Sequence, residues 1–435
     1  MDPVDRFRDL LRIPTVHPEA GGDWAEHERF VARLAELYPA LHAALERERV
    51  DRSVLFRWRG ASAERPTVLM AHYDVVPAAG AEGWTHPPFA ADLDAAGVIW
   101  GRGTIDDKGE LVAILEAVET LVGEGFVPAN DVYLSFGHDE ESHGTGARAI
   151  VDELERRGIR PALVVDEGGA VVDDVFPGVD RPIAAIGVSE KGIANVLLTV
   201  EQDGGHASTP PAMAATVRIA RAVERLERHP FPARLDPPVR AMLAGIGPHA
   251  RGVQGWAFRH LGLTAGLVTR LMARMGPETR AMVRTTMAVT QLGGSAAANV
   301  LAERATATVN VRIATSSSLA AVGARVRRVI DDPLVRVELV HTTEPSPVSP
   351  AAGPAWDAVR GAVEAAFPDA VPVPYVMFAA SDARQFTRIS DHVYRFCGMR
   401  MTRAERAGLH AIDERVRVSS WLETIAFYTA LVRAV

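Results

Sequence analysis

Thr67–Pro77 reads TVLMAHYDVVP. Its first five residues are apolar or β-branched and follow Pro66, the pattern of a short buried strand. His72 and Asp74 come next, at the carboxyl end of that strand, which in open α/β sheets is where ligands bind. Two residues apart in extended chain, their side chains project to one side. A carboxylate placed there accepts the second ring N–H of a metal-bound imidazole and fixes its tautomer. Taken alone, the pair reads more readily as a polar strand end with a surface histidine. Its weight comes from what surrounds it.

Working outward, Val54–Trp58, Val98–Trp100, Asp131–Phe136 and Ala162–Val165 read as further strands. Val4–Leu11, Trp24–Leu45, Gly109–Gly123 and Ala147–Arg157 carry apolar residues at helical spacing, and Pro77–Phe89 is a Pro/Gly-rich loop. This alternation predicts an α/β domain whose mostly parallel sheet is flanked by helices. The pattern then changes. Ile193–Glu201, Pro211–Glu227, Thr286–Leu292, Ala305–Ile313, Leu319–Ile330 and Val335–His341 spell β-α-β-β-α-β, a ferredoxin-like order. Pro230–Arg284 interrupts it with apolar, helical pieces. Pro345–Pro354 reads as a linker, and α/β character returns with the helices Trp356–Phe367 and Ser420–Ala434. The expected organisation is residues 1–192 with 343–435 as one domain, and 193–342, including a helical insertion over 230–284, as a second domain inserted into it.

A chain of 435 residues is long for one core and agrees with two domains. With 48% hydrophobic and 23% charged residues it has the composition of a globular protein. A net charge of −8 argues against binding nucleic acid through phosphate neutralisation. The single cysteine, Cys397, excludes an intramolecular disulfide and a thiolate cluster. MDPVDRFRDLLRIPTV has no apolar run of signal-peptide or membrane-spanning length, so the expected location is cytoplasmic.

Acidic residues recur at three further strand ends: Asp106 and Asp107 in GRGTIDDKG, Glu140 and Glu141 in GHDEES, Asp166 and Glu167 in VVDEGG. His410, in GLHAIDE, comes from the returning α/β segment. Any one of these alone is a solvated loop charge or a helix cap. Together they form a set of carboxylate and imidazole donors suited to zinc or related divalent ions. Two ions sharing a carboxylate would sit roughly 3.5–4 Å apart and could together activate a water and polarise a carbonyl. GRG is no phosphate loop, since no Lys-Ser/Thr follows at the required spacing.

The ordered motifs resemble the zinc aminoacylase/carboxypeptidase family, from HYDVVP to GLHAIDE. The likeness is greatest to its carboxypeptidase S and N-fatty-acyl-amino-acid hydrolase branch, through GTIDDKG, GHDEE, VDEGG, SEKG and GHASTPP. The resemblance implies two divalent ions, most readily zinc, with cobalt or manganese acceptable. His72 and Glu167 would hold one ion and Glu141 and His410 the other, with Asp106 bridging them through a cis Asp106–Asp107 peptide. Glu167 is preferred to Asp166 because aminoacylase members place the ligand at the second acid of DEG. Asp74 would orient His72, and Glu140 would be the general base. His206 in GGHAST would reach a partner subunit's site and stabilise an oxyanion. Asn299, Arg312 and the loop around Gly398 would contact substrate, the guanidinium suiting an α-carboxylate. The inserted domain would serve as a lid and dimerisation domain in a homodimer.

The implied activity is hydrolysis of N-acyl amino acids or small peptides with a free carboxylate. A dipeptidase acting on Gly-initiated dipeptides is the alternative, and a non-catalytic metal-binding scaffold a remote one. Two departures stand out. Ser142-His143 follows the double Glu where the family often has glycine, and FCGMRM around Gly398 leaves the side-chain pocket undefined.

Overall fold

Ser62–His72 is one strand, buried from Pro66 onward, so it extends the apolar run in both directions. The computed structural model describes residues 1–78, 82–173 and 178–435; residues 79–81 of the expected Pro77–Phe89 loop lie outside them. The strand lies between Asn130–Gly137 and Leu163–Asp166 and runs parallel to both; Leu163–Asp166 in turn runs parallel to Val393–Arg395. The register pairs His72 with Gly137, Leu69 with Val165 and Asp166 with Arg395, which brings four carboxyl ends to one edge. Near-continuous burial of these strands fits a sheet covered on both faces. The flanks are antiparallel, with Ser53–Trp58 on one side and Ile183–Glu190 on the other. The expected α/β class, with a parallel sheet core flanked by helices, is the observed one.

Helices close both faces. Ile150, Val151 and Leu154 of Thr145–Arg156 pack with Phe386 on Val68, Met70 and Val164. Lys108–Gly123 is buried nearly all round, against Ser62–His72 and the helices Pro3–Leu11 and Val418–Ala434. Its first residue, Lys108, is itself fully buried and donates to the carbonyls of Ile13 (2.5 Å) and Leu10 (3.5 Å). The lysine of DDKG therefore satisfies carbonyls at the end of the first helix. Burial lowers its pKa to about 7. The helix expected over Trp24–Leu45 is two helices, Trp24–Leu37 and Pro39–Ala44, because Pro39 cannot continue the ladder and pushes Tyr38 out of helical geometry.

The chain divides into two compact units: Met1–Val188, Ala241–Trp256 and Ser349–Val435 form the first, Ser189–Arg240 and Ala257–Val348 the second. Unit 2 contains a four-stranded antiparallel sheet in the order Thr286–Gly293, Arg304–Ile313, Gly192–Glu201, Arg336–Thr343. With helices Ala215–Arg228 and Leu319–Ile330 this is the βαββαβ arrangement. Along Arg304–Ile313 every second residue from Ala305 is buried, and that face packs on Ile219, Leu226, Val322 and Val326. One stretch departs from the expected division. Ala241–Trp256, expected inside the insert, clusters with unit 1, where Ala250 bridges Val179 and Gly245 approaches Val373 so closely that a Cβ would stand 3.0 Å from it. No helix among the described residues is long and apolar enough to cross a membrane.

Candidate metal centre

The four aligned strand ends in unit 1 deliver the site. His72 ends its strand; Glu140 and Glu141 follow Asn130–Gly137; Glu167 follows Leu163–Asp166; Cys397 and Gly398 follow Val393–Arg395. Asp106 lies in the loop between Val98–Trp100 and the helix starting at Lys108. His410 is brought to it because Arg415–Arg417 pairs antiparallel with Val98–Trp100.

The geometry is that of two imidazoles sharing a carboxylate. His72 Nε2 is 3.0 Å from Asp106 Oδ1, and His410 Nε2 is 2.9 Å from Asp106 Oδ2. Glu167 Oε2 stands 3.8 Å from His72 Nε2, and Glu141 Oε1 stands 3.2 Å from His410 Nε2. Glu140 falls within the same cluster as His72 and Glu167. The Asp106–Asp107 peptide is cis. Asp166 turns away: its carboxylate accepts from the Ala383 amide at 2.7 Å, which leaves Glu167 as the acid of DEG that faces His72.

Asp74 does more than the expectation gave it. Its Oδ1 is 3.2 Å from His72 Nδ1, and its carbonyl lies 3.0 Å from the same nitrogen. Its two carboxylate oxygens also accept the amides of Glu140 (3.1 Å) and Glu141 (3.0 Å). One fully buried carboxylate thus sets both the ring of His72 and the start of the double-Glu turn. Asp139 holds the rest of that turn by accepting the amides of Thr145 and Gly146 at the start of the next helix, each at 2.9 Å.

Electrostatics suit a cation. Burial pushes Glu140 and Glu167 well above the usual carboxylate range, with the charge of Glu167 adding to the first and that of Asp106 to the second. Burial would lower His72, yet its hydrogen bonds to Asp106, Asp74 and Glu167 outweigh that and raise it well above its ordinary value. Hydrogen bonds to Asp106 and Glu141 push His410 up to about 10. A field that holds protons on two imidazoles between carboxylates favours divalent cations at the same donors. The all-nitrogen-and-oxygen set also matches zinc-like ions, so the residues fit the group the motifs imply.

Glu414, the last acid of GLHAIDE, was not singled out by sequence. It is fully buried and accepts from Arg102 Nη1 (2.6 Å) and from the amides of Gly103 (3.1 Å), Ile105 (2.8 Å) and Asp106 (3.2 Å). It therefore positions the loop that presents Asp106. Glu414→Ala is expected to lower folding stability by about 3–5 kcal/mol, because Arg102 stays buried without its carboxylate. Chemical denaturation measures this; a loss below about 1 kcal/mol, the range of an exposed pair, would contradict the assignment.

A cavity of about 320 Å³ opens over the cluster. Asp106, Glu140, Glu141, Glu167 and His410 form its polar wall, and Ile105, Met377, Met401, Leu409 and Cys397 its apolar one. Gly398 is not part of that wall. It sits at φ +61°, where a Cβ would come within 2.5 Å of the Phe427 ring, so the structure gives it a packing role beside Cys397. His143 faces outward, 3.0 Å from Glu19.

The remaining candidates lie in unit 2. The two-residue strands Gly205–His206 and Val300–Leu301 pair, with His206 opposite Val300, and the Ala207 amide donates to the Asn299 carbonyl at 3.0 Å. This brings His206 and Asn299 together. His206 Nδ1 accepts the Ser208 amide at 3.1 Å, so its Nε2 carries the proton. Arg312 is on the central strand Arg304–Ile313, opposite Ile193 and Thr286.

Residues 68–434 match the sequence model of peptidase family M20/M25/M40. The chain is 35% identical over 445 residues to the human N-fatty-acyl-amino acid synthase/hydrolase PM20D1, covering 99% of this chain and 87% of the relative. It is 34% identical over 414 residues to the probable carboxypeptidase S-like 2 of Dictyostelium discoideum, covering 94% and 79%. Carboxypeptidase S of Saccharomyces cerevisiae is 29% identical over 481 residues, covering 98% and 82%. In fold, the chain resembles the M20 family metallo-carboxypeptidase Sso-CP2 of Sulfolobus solfataricus, with a TM-score of 0.73 at 16% identity over 100% of this chain and 99% of the other.

Proposed function

The chain belongs to peptidase family M20/M25/M40 and is a metal-dependent amide hydrolase, and we propose that its substrates are N-acyl amino acids with a free carboxylate. The observation that carries this choice is the apolar wall of the cavity. Two methionines, an isoleucine and a leucine face the carboxylate cluster, a lining that accepts an apolar acyl group of variable shape. The name of the human relative points the same way. The carboxypeptidase S relatives support the second reading, a carboxypeptidase or dipeptidase acting on Gly-initiated dipeptides.

His72 and Glu167 would hold one ion and Glu141 and His410 another, with Asp106 between them; zinc is the proposed metal, and cobalt and manganese accept the same donors. When bound, such ions supply Lewis acidity toward the amide carbonyl and make hydroxide available near neutral pH. Glu140 takes the proton of the attacking water and gives it to the amide nitrogen as the C–N bond breaks. Asp74 keeps the His72 ring and the Glu140–Glu141 turn in one arrangement throughout. His206, through its Nε2–H, is the proposed donor to the developing oxyanion, acting on the site of a second copy in a homodimer. Arg312 and Asn299 are the proposed grip on the substrate carboxylate and carbonyl, and Gly398 supports the substrate-side loop from behind.

The test is a panel of N-acetyl amino acids, N-long-chain-acyl amino acids and Gly-initiated dipeptides, given to metal-stripped and zinc-restored protein. Zinc-dependent cleavage of acylated substrates is expected; cleavage confined to dipeptides would replace this reading with the second. Light scattering is expected to return twice the chain mass, and a monomer active on the panel would remove His206 from the mechanism.

A further inference from the structure

The helix Leu261–Met275 of unit 2 has an outward face that globular packing leaves unexplained. Its inward side is buried, through Leu261, Thr264, Val268 and Met272. Yet Leu263, Leu267, Leu271 and Met275, four residues apart and so in one line along the helix, are 83%, 60%, 51% and 57% exposed. Contiguous exposed leucines of this kind mark an interaction surface. The charge beside them is one-sided. Arg270 and Arg274 are the helix's only charged residues, and Arg280 and Arg284 follow, with Glu278 the one acid in residues 261–284 of a chain whose net charge is −8. Among the described residues none of these four arginines forms an ion pair, and Arg280 Nε donates to the Ala273 carbonyl at 3.3 Å.

Arg270, Arg274, Arg280 and Arg284 also line a cleft of about 960 Å³, together with Phe231, Met287 and one acid, Glu227. Arg284 has a buried Nε without a hydrogen-bond partner. A stripe of leucines bordering a cleft with four guanidiniums against one carboxylate, Glu227, matches one chemistry, an anionic head above apolar chains. A second copy of the same helix is a poor occupant, because stripe-to-stripe packing would set Arg270 and Arg274 against their own counterparts with no acid on the helix to offset them.

We infer that the Leu261–Met275 helix docks on the surface of an anionic phospholipid bilayer, its leucine stripe entering the acyl boundary and its arginines, with the adjoining cleft, taking the phosphate groups. This does not rest on the substrate reading above. It makes the chain a peripheral membrane protein, with a domain that meets lipid while the hydrolytic cluster belongs to the other unit.

The test is flotation of the full-length protein with phosphatidylcholine vesicles, with and without phosphatidylserine. Binding is expected only with phosphatidylserine and is expected to weaken as salt rises. Arg270→Glu and Arg274→Glu should each reduce partitioning by roughly fivefold or more. Leu263→Ser with Leu267→Ser and Leu271→Ser should reduce it by about tenfold or more. Both sets lie on an outward face, so thermal unfolding should be unchanged, and the arginine pair serves if the leucine triple fails to fold. Equal binding to both vesicle types, no binding to either, or binding indifferent to both variant sets would overturn the inference. So would light scattering in which the leucine triple alone splits a dimer into monomers.

Discussion

Glu140→Gln is expected to lower kcat by about 10²–10⁴-fold, the range that general acid–base catalysis supplies, with metal content and KM little changed. The argument rests on what the substitution leaves alone. The position of residue 140 is set by its backbone, through the amide donated to Asp74 Oδ1 at 3.1 Å, and an amide side chain of equal size does not disturb it. What is lost is the capacity to take and return a proton. Metal analysis beside steady-state kinetics separates the two roles open to a residue in this cluster. If metal content falls in step with kcat, Glu140 is a ligand; if the variant turns over like the parent, the proton route lies elsewhere.

How much of this was legible in the sequence depends on whether a feature is local. The strand Thr67–Ala71, the double Glu and the DEG each follow an apolar run, so periodicity alone put His72, Glu140, Glu141 and Glu167 at strand ends, and a parallel sheet gathers strand ends. The βαββαβ order was legible because its elements are long and strictly periodic, as in the alternation along Arg304–Ile313. Other features were carried by pairings between remote segments. The strand Arg415–Arg417, three residues long, brings His410 to Asp106 by pairing with Val98–Trp100, and nothing in its own composition announces that partner. Gly205–His206 and Val300–Leu301 are too short for any period, so the approach of His206 to Asn299 had no local signal. Glu414 was hidden for a different reason. An acid in a polar stretch reads as solvated, and only its burial against Arg102 and three amides reveals a positioning role. The same holds for Lys108, whose carbonyl partners lie about a hundred residues upstream.

The second large effect is expected at Asp106. Asp106→Asn should leave a folded protein that holds fewer ions and loses turnover by about 10²–10⁴-fold, the equivalent of several kcal/mol of transition-state charge stabilisation. The loop survives because it is held by its backbone: the Asp106 amide donates to Glu414 Oε1 at 3.2 Å, and those of Ile105 and Gly103 donate to the same carboxylate. The side chain is the part that matters to the cluster. Its two oxygens face different imidazoles, His72 at 3.0 Å and His410 at 2.9 Å, and both contacts need an acceptor. An amide offers one oxygen and one N–H₂, so one imidazole would face a donor, and the negative charge that serves both sides would be gone. Glu167 remains beside His72 and Glu141 beside His410, so each half keeps two donors and the loss is of the link between them. Metal stoichiometry after dialysis, read alongside kcat, measures that link. Full occupancy with parental turnover would remove Asp106 from the centre. Partial occupancy with a matching loss of turnover would tie the activity to the pair of imidazoles acting through one carboxylate.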